Sequence, residues 1–139
     1  MDLYRRLQDY LAQYSGSSYT IFRSGLGLMI LLSGVHQLVN PTLWTSYIAP
    51  VFANLMNQTG ISGAIFMQVN GVFEILFGVA LVMDRYTTLA AGLVTVSMAG
   101  IIVNLGLAGA GYIDIIVRDI GLLLLALGVT LQSARRTEQ

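Results

Sequence analysis

The sequence contains no cysteine, and charged residues make up only 10% of its 139 positions. Without thiols, the chain forms no disulfide, thiolate metal site, c-type haem attachment or dithiol relay of its own. All seven basic residues are arginine, and the net charge of zero argues against nucleic acid as a partner. One histidine, His36, is too few for a haem held by two histidines of one chain, and no Glu-x-x-His pair is present. The sequence therefore predicts no metal site.

The chain is rich in apolar residues. Hydrophobic residues make up 55% of the chain and the mean hydropathy is +0.73, whereas soluble domains average about 25% charged residues. So few charges do not coat a soluble surface, and the apolar excess is expected to face lipid. The polar N-terminus lacks an A-x-A-like site after a short apolar stretch, so no secretory signal peptide is predicted.

Four apolar segments of about 20 residues predict four membrane-spanning α-helices. A soluble bundle would show a polar stripe on each helix, but 24–35 and 87–113 carry no charge on any face. The sequence thus predicts an all-α polytopic membrane protein, a four-helix transmembrane bundle forming a single membrane domain over residues 1–139. The predicted spans are Tyr19–Val39, Ala64–Met83, Thr87–Leu107 and Tyr112–Leu131.

The arginines predict the orientation of these spans. They lie before or at the start of span one, between spans two and three, and after span four, whereas loops 40–63 and 108–111 hold none. Because cytoplasmic loops carry the excess of basic residues, both termini and the Arg85 turn are predicted to be cytoplasmic. The tyrosines and Trp44 fall at or outside the predicted span ends, as interfacial aromatic residues do.

Two segments outside the spans have helical patterns of their own. In residues 1–18, leucines and tyrosines recur at helical spacing among charged residues, which predicts an amphipathic cytoplasmic helix lying on the membrane surface. The outer loop, residues 40–63, is punctuated by Pro41 and Pro50 and places apolar side chains on one helical face. We expect an interfacial or re-entrant helix there.

Glycines recur seven residues apart in three of the four predicted spans. Small residues let helix backbones approach closely in lipid, so these pairs predict tightly packed faces. The pairs are Gly27 with Gly34, Gly71 with Gly78, and Gly121 with Gly128.

A few ionisable groups fall inside the predicted spans. Glu74 lies roughly 15 Å below the outer face, and Arg118 and Asp119 lie roughly 9–11 Å below it. Intramembrane charges are costly and usually functional, so we hypothesise that Glu74 pairs with Arg118 directly or through water, while Asp119 faces span three or a ligand. These three residues are the catalytic candidates. The predicted ligand-binding residues are His36, Asn70, Glu74, Asn104, Asp114, Arg118 and Asp119. Two alternatives remain: the pair only fixes helix register, or the charges face another subunit.

Three stretches of the chain resemble the DoxX family of bacterial and archaeal membrane proteins. They read FRSGLGLMILLSGVHQLVNP, NGVFEILFGVALVMDR and VRDIGLLLLALGVTL, and the similarity runs from Thr20 to Leu131. The resemblance implies a four-helix bundle in the cell membrane and places Glu74, Arg118 and Asp119 at the family's polar positions. It also implies membrane redox chemistry, since the family takes its name from a subunit of a thiosulfate:quinone oxidoreductase.

Three functions fit these observations. The first is a quinone-interacting or accessory subunit of an oxidoreductase, in which Arg118 or His36 donates hydrogen bonds, Glu74 or Asp119 relays protons, and aromatic residues hold the ring. The second is a non-catalytic subunit that stabilises a larger membrane complex. The third is a small proton-coupled transporter, for which four spans are few. A subunit is favoured over a stand-alone enzyme, with lipid, other membrane subunits or further copies of the chain as partners.

Overall fold

The computed structural model describes residues 2–137, and within that range every regular element is helical. The α-helices are α1 (Asp2–Ala12), α2 (Ser18–Val39), α3 (Pro41–Trp44), α4 (Pro50–Thr59), α5 (Gly63–Val82), α6 (Thr87–Ala108) and α7 (Ile113–Thr137). Short 3-10 turns lie at Ser15–Ser17, Thr45–Tyr47 and Ala110–Tyr112. The outer loop holds two short helices, α3 and α4, where the sequence predicted one.

Three helical stretches are long and apolar enough to cross a membrane: Ser15–Val39, which includes α2, and helices α5 and α6. They leave many large apolar side chains exposed, including Leu32, Leu76 and Val96. Helix α7 is 25 residues long and continues past the predicted span end at Leu131. The amphipathic segment at the N-terminus is helix α1, which has no buried residue.

The four long helices pack as two tight pairs. Helix α2 lies along α5 and α6 lies along α7, whereas contacts between α5 and α6 and between α2 and α7 are fewer. The helices therefore form a ring in the order α2, α5, α6, α7. In this ring α5 and α7 lie diagonally opposite, so their side chains do not meet directly.

Glycines bring α2 and α5 into backbone contact. A Cβ atom at Gly34 would lie 2.6 Å from the Gly71 carbonyl oxygen, and one at Gly78 would lie 2.8 Å from that of Gly27. Such distances leave no room for a side chain, which confirms the predicted packing of these four glycines. For Gly121 and Gly128 the prediction of packing within the bundle is wrong, because a Cβ atom at either meets nothing within 4 Å.

A buried arginine ties α2 to the end of α5. The Arg23 guanidinium donates hydrogen bonds to the carbonyl oxygens of Leu81 and Val82, where α5 ends, and its Nε lies 3.4 Å from the Asp84 carboxylate. Asp84 in turn accepts a hydrogen bond of 2.7 Å from Thr87 at the start of α6. A cation at the last carbonyls of a helix interacts favourably with the helix dipole. The turn between α5 and α6 is thus fixed by α2.

Candidate functional site

Glu74, Asn70 and Gln37 form a closed hydrogen-bond triangle between α2 and α5. One carboxylate oxygen accepts from the Asn70 side-chain amide at 2.8 Å, and the other accepts from the Gln37 amide at 2.9 Å. The Asn70 amide also donates to the Gln37 side-chain oxygen at 2.9 Å, and the Gln37 amide to the Ser33 hydroxyl at 3.3 Å. Glu74 is thus held by neutral amides on two helices.

Glu74 and Gln37 are buried, and Glu74 lies near the middle of α5. Glu74 and Gln37 are 5% and 2% exposed. Glu74 is eleven residues after Gly63, the first residue of α5, which corresponds to about 17 Å along a helix of about 30 Å. A carboxyl group at that depth in an apolar bundle needs hydrogen-bond partners, since burying it without them costs several kcal/mol. The two amides supply those partners.

A small cavity borders Glu74 between α2, α5 and α6. Its volume is about 20 Å³ and its wall comprises Ile30, Asn70, Phe73, Glu74, Phe77, Val94, Ser97 and Met98. This volume suffices for one water molecule. The Ser97 hydroxyl has no hydrogen-bond partner within residues 2–137. The cavity therefore brings the Glu74 carboxyl group, the Asn70 amide and an unused hydroxyl to one small space.

Two aromatic side chains, Phe73 and Phe77, line this cavity, and Phe73 is also exposed on the outer surface of the bundle. Phe73 and Phe77 stack with ring centroids 6.1 Å apart, and Phe73 is 52% exposed on the outside. They lie on the side where α5 faces α6, the less tightly packed junction between the two helix pairs.

The predicted pair of Glu74 with Arg118 is absent from the described residues. Arg118 instead pairs with Asp119, whose carboxylate lies 3.0 Å from its Nε and 2.9 Å from one terminal nitrogen. The prediction failed because α5 and α7 are diagonal in the ring and α7 turns Arg118 outward, with 66% of its side chain exposed. Asp119 is buried, but its hydrogen-bond partner is the neighbouring Arg118, not a group of the third span.

The remaining predicted residues lie apart from Glu74, except Asn70. His36 is exposed and its Nδ1 accepts a hydrogen bond of 2.9 Å from the Trp44 indole. Asn104 accepts from the Ala49 backbone at 2.9 Å and donates to the Tyr47 carbonyl, which ties α6 to the outer loop. Asp114 is exposed on α7. The structure therefore brings Asn70 to Glu74 and leaves these three elsewhere.

Sequence reasoning missed Gln37, Ser33 and Ser97. The predicted site residues were the ionisable groups of the spans with Asn70 and Asn104, and no glutamine or serine was among them. A signal was available: Ser33 and Gln37 are one turn apart and flank Gly34, on the closely packed face of α2. Neutral polar groups on such a face are expected to bond across to the neighbouring helix.

The arrangement can bind and exchange a proton-bearing group but offers no cluster for a metal. Among the described residues no three His, Asp or Glu side chains approach one another closely enough to hold an ion. What the cavity offers is one free hydroxyl, one carboxyl group held by amides, and aromatic walls. That combination suits a small polar function carried on an apolar molecule.

These features define a multi-pass helical membrane protein with a polar centre between its helices. A model of the DoxX family matches residues 18–107. The chain therefore belongs to the DoxX family, as the sequence motifs indicated. No curated protein and no solved structure matches it. The matched range covers α2 to α6 and ends before α7. It includes Glu74 with Ser33, Gln37 and Asn70, which we call the Glu74 cluster.

Proposed function

We propose that the chain is one membrane domain that crosses the bilayer four times, with both termini in the cytoplasm and α1 on the membrane surface. The fourth crossing is α7. Its length of 25 residues exceeds the roughly 20 that a crossing needs. It also returns along α6 after the short connection 109–112. Its charged first turns and the arginines at its end then lie at opposite membrane faces.

We further propose that the Glu74 cluster binds the carbonyl head of a lipid-soluble compound of the quinone class. The chain would then serve as an accessory membrane subunit of an oxidoreductase system. The observation that carries this proposal is the buried carboxyl group beside a mainly apolar cavity bordered by a half-exposed phenylalanine. A quinone carries hydrogen-bonding carbonyls on an apolar ring and tail, which matches donors deep inside and aromatic rings at the entrance.

The proposed role of the site in quinone reduction is to bind the ring and to supply protons. Reduction of a quinone to a quinol takes up two electrons and two protons. The Ser97 hydroxyl is the donor available to a carbonyl oxygen, because the side-chain amides of Asn70 and Gln37 already donate within the triangle. Glu74 is the group that passes the two protons to the ring one after the other, taking each from water. The electrons are expected from a partner protein, since the chain has no cysteine and one histidine to ligate a redox centre.

The bound ring needs more space than the present cavity. A volume of about 20 Å³ holds one water, so α5 and α6 must separate and Phe73 must rotate before a ring enters. The helix pairs themselves need not change, because the glycine contacts join α2 to α5 and leave the α5–α6 junction free. Side-chain rotation and a small helix shift are the expected opening motion.

Photolabelling tests this proposal. The purified protein in lipid nanodiscs is irradiated with an azido-quinone, digested, and its labelled peptides identified by mass spectrometry. We expect label on α5 or α6 near the cavity, and excess short-chain quinone should reduce it. Phe73→Ala should change the amount or the position of the label. Phe66→Ala is the matched control, since Phe66 is a similarly exposed phenylalanine of α5 outside the cavity wall. Label that is spread over all lipid-facing helices and is not displaced would contradict the site.

A further inference from the structure

The outward face of α7 has a seven-residue repeat. Along it, one column contains Asp114, Gly121 and Gly128, and the other contains Val117, Leu124 and Leu131. All six residues are exposed, and Val117 and Leu124 are 66% and 60% exposed. A repeat of this period keeps one face of a helix against a partner helix through a left-handed crossing. We call these six residues the α7 seam.

Asp114 on this seam and Arg118 beside it both carry polar atoms that have no partner among the described residues. The Asp114 carboxylate makes no hydrogen bond or ion pair within residues 2–137. Arg118, one turn further, uses Nε and one terminal nitrogen on Asp119, and its other terminal nitrogen has no partner in the same range. The face thus presents a free acid and a free guanidinium edge about one helical turn apart.

Such charges are costly on a helix that crosses a membrane. An arginine in the bilayer interior costs about 2.5–3.5 kcal/mol on insertion scales. Charged side chains in membrane-spanning helices usually face another helix, a water-filled cavity or another subunit. In this chain neither α2 nor α6 provides a partner for Arg118. A partner outside the chain would complete its hydrogen bonds.

We propose that this partner is a second copy of the chain, joined along the α7 seam. Two copies with the same membrane orientation are related by an axis along the membrane normal, so their α7 helices run parallel at equal depth. Arg118 of each copy then lies about 6 Å deeper than Asp114 of the other, within reach of an arginine side chain. Arg118 of each copy then lies between its own Asp119 and Asp114 of the other copy, and the open glycines allow the backbones to approach.

This dimer rests on the proposed fourth crossing and is independent of ligand binding at Glu74. The Glu74 cavity lies between α2, α5 and α6, and no residue of the seam lines it. The dimer could therefore fail while the ligand site stands, and the reverse also holds.

Single-cysteine cross-linking tests the dimer, because the chain has no native cysteine. Leu124→Cys is treated with an oxidising catalyst in native membranes and run on a non-reducing gel. We expect a disulfide-linked dimer. Val96→Cys, an equally lipid-exposed position in the middle of α6, is the matched control and should remain monomeric. Equal cross-linking of both variants, or none at Leu124→Cys, would overturn the proposal.

A second experiment separates an interface from random collision. Adding Gly121→Leu to Leu124→Cys should reduce the dimer band about three- to ten-fold. Adding Asp114→Asn to Leu124→Cys should also reduce the band. Gly100→Leu is the control, since a side chain at Gly100 on α6 also meets nothing within its own chain. If the cross-linked partner proves by mass spectrometry to be a different protein, the face is an interface with another subunit and the second-copy proposal is wrong.

Discussion

Gly34 on α2 and Gly71 on α5 contact each other backbone to backbone. A Cβ atom at Gly71 would lie 2.8 Å from the Gly34 carbonyl oxygen, and the converse distance is 2.6 Å. Gln37 and Glu74 each follow one of these glycines by three residues. Because side chains in a helix lean toward its N-terminus, both lean back over the contact and meet there. The glycine contact therefore positions the buried carboxyl group.

Gly34→Ala should destabilise the protein by about 1–3 kcal/mol, because the new methyl group overlaps the backbone of α5. Equilibrium unfolding in mild detergent measures the loss. Gly100→Ala is the control, since nothing lies within 4 Å of a Cβ atom at Gly100. Equal stability of the two variants would mean that α2 and α5 are not in the close contact described.

Arg118 and Asp119 should be energetically coupled, whereas Arg118 and Glu74 should not. Replacing Arg118 with glutamine leaves a buried carboxylate without its guanidinium, so a second change, Asp119→Asn, should cost less in that background. The Arg118→Gln and Glu74→Gln effects should add within about 0.5 kcal/mol. Unfolding free energies of the single and double variants decide the matter. Coupling to Glu74 in place of Asp119 would restore the pair predicted from the sequence.

Arg23→Gln should lower the free energy of unfolding by about 1–3 kcal/mol, because the last carbonyls of α5 lose a charged donor and Asp84 loses its partner. Arg85→Gln is the matched control. Arg85 is exposed on the same turn and takes part in no ion pair among the described residues. Thermal unfolding of both variants in the same detergent makes the comparison. An effect of Arg85→Gln as large as that of Arg23→Gln would show that the turn is not fixed from α2.

The four proposed crossings would place the two ends of α7 on opposite sides of the membrane. In intact cells, a membrane-impermeant maleimide should label Ala110→Cys directly and should label Arg135→Cys only after permeabilisation. The cysteine-free parent chain supplies the blank, since no other residue reacts. Labelling of both positions from outside would leave three crossings and remove the basis of the α7 dimer without affecting the Glu74 cavity.

Much of the helical architecture could be predicted because hydropathy and span length act locally along the chain. Helix α5, for example, lies within one residue of the predicted Ala64–Met83 at either end. The partners of Glu74 could not be predicted in this way. Which helices are neighbours depends on the order of the ring, and the direction in which α7 faces is set by its packing on α6. Gln37 carries no charge, so the pairing of opposite charges did not predict it, although its neutral amide satisfies the carboxylate as an arginine would.

The affinity of the protein for a short-chain quinone tests the central claim most directly. Binding isotherms in nanodiscs would compare wild type with Ser97→Leu, which fills the cavity beside Glu74, and with Ala99→Leu, which adds the same bulk on the exposed side of α6. We predict saturable binding by wild type and Ala99→Leu, and an affinity at least about tenfold weaker for Ser97→Leu, because the ring would clash with the new side chain. Equal affinities for all three proteins, or no saturable binding by wild type, would contradict the account.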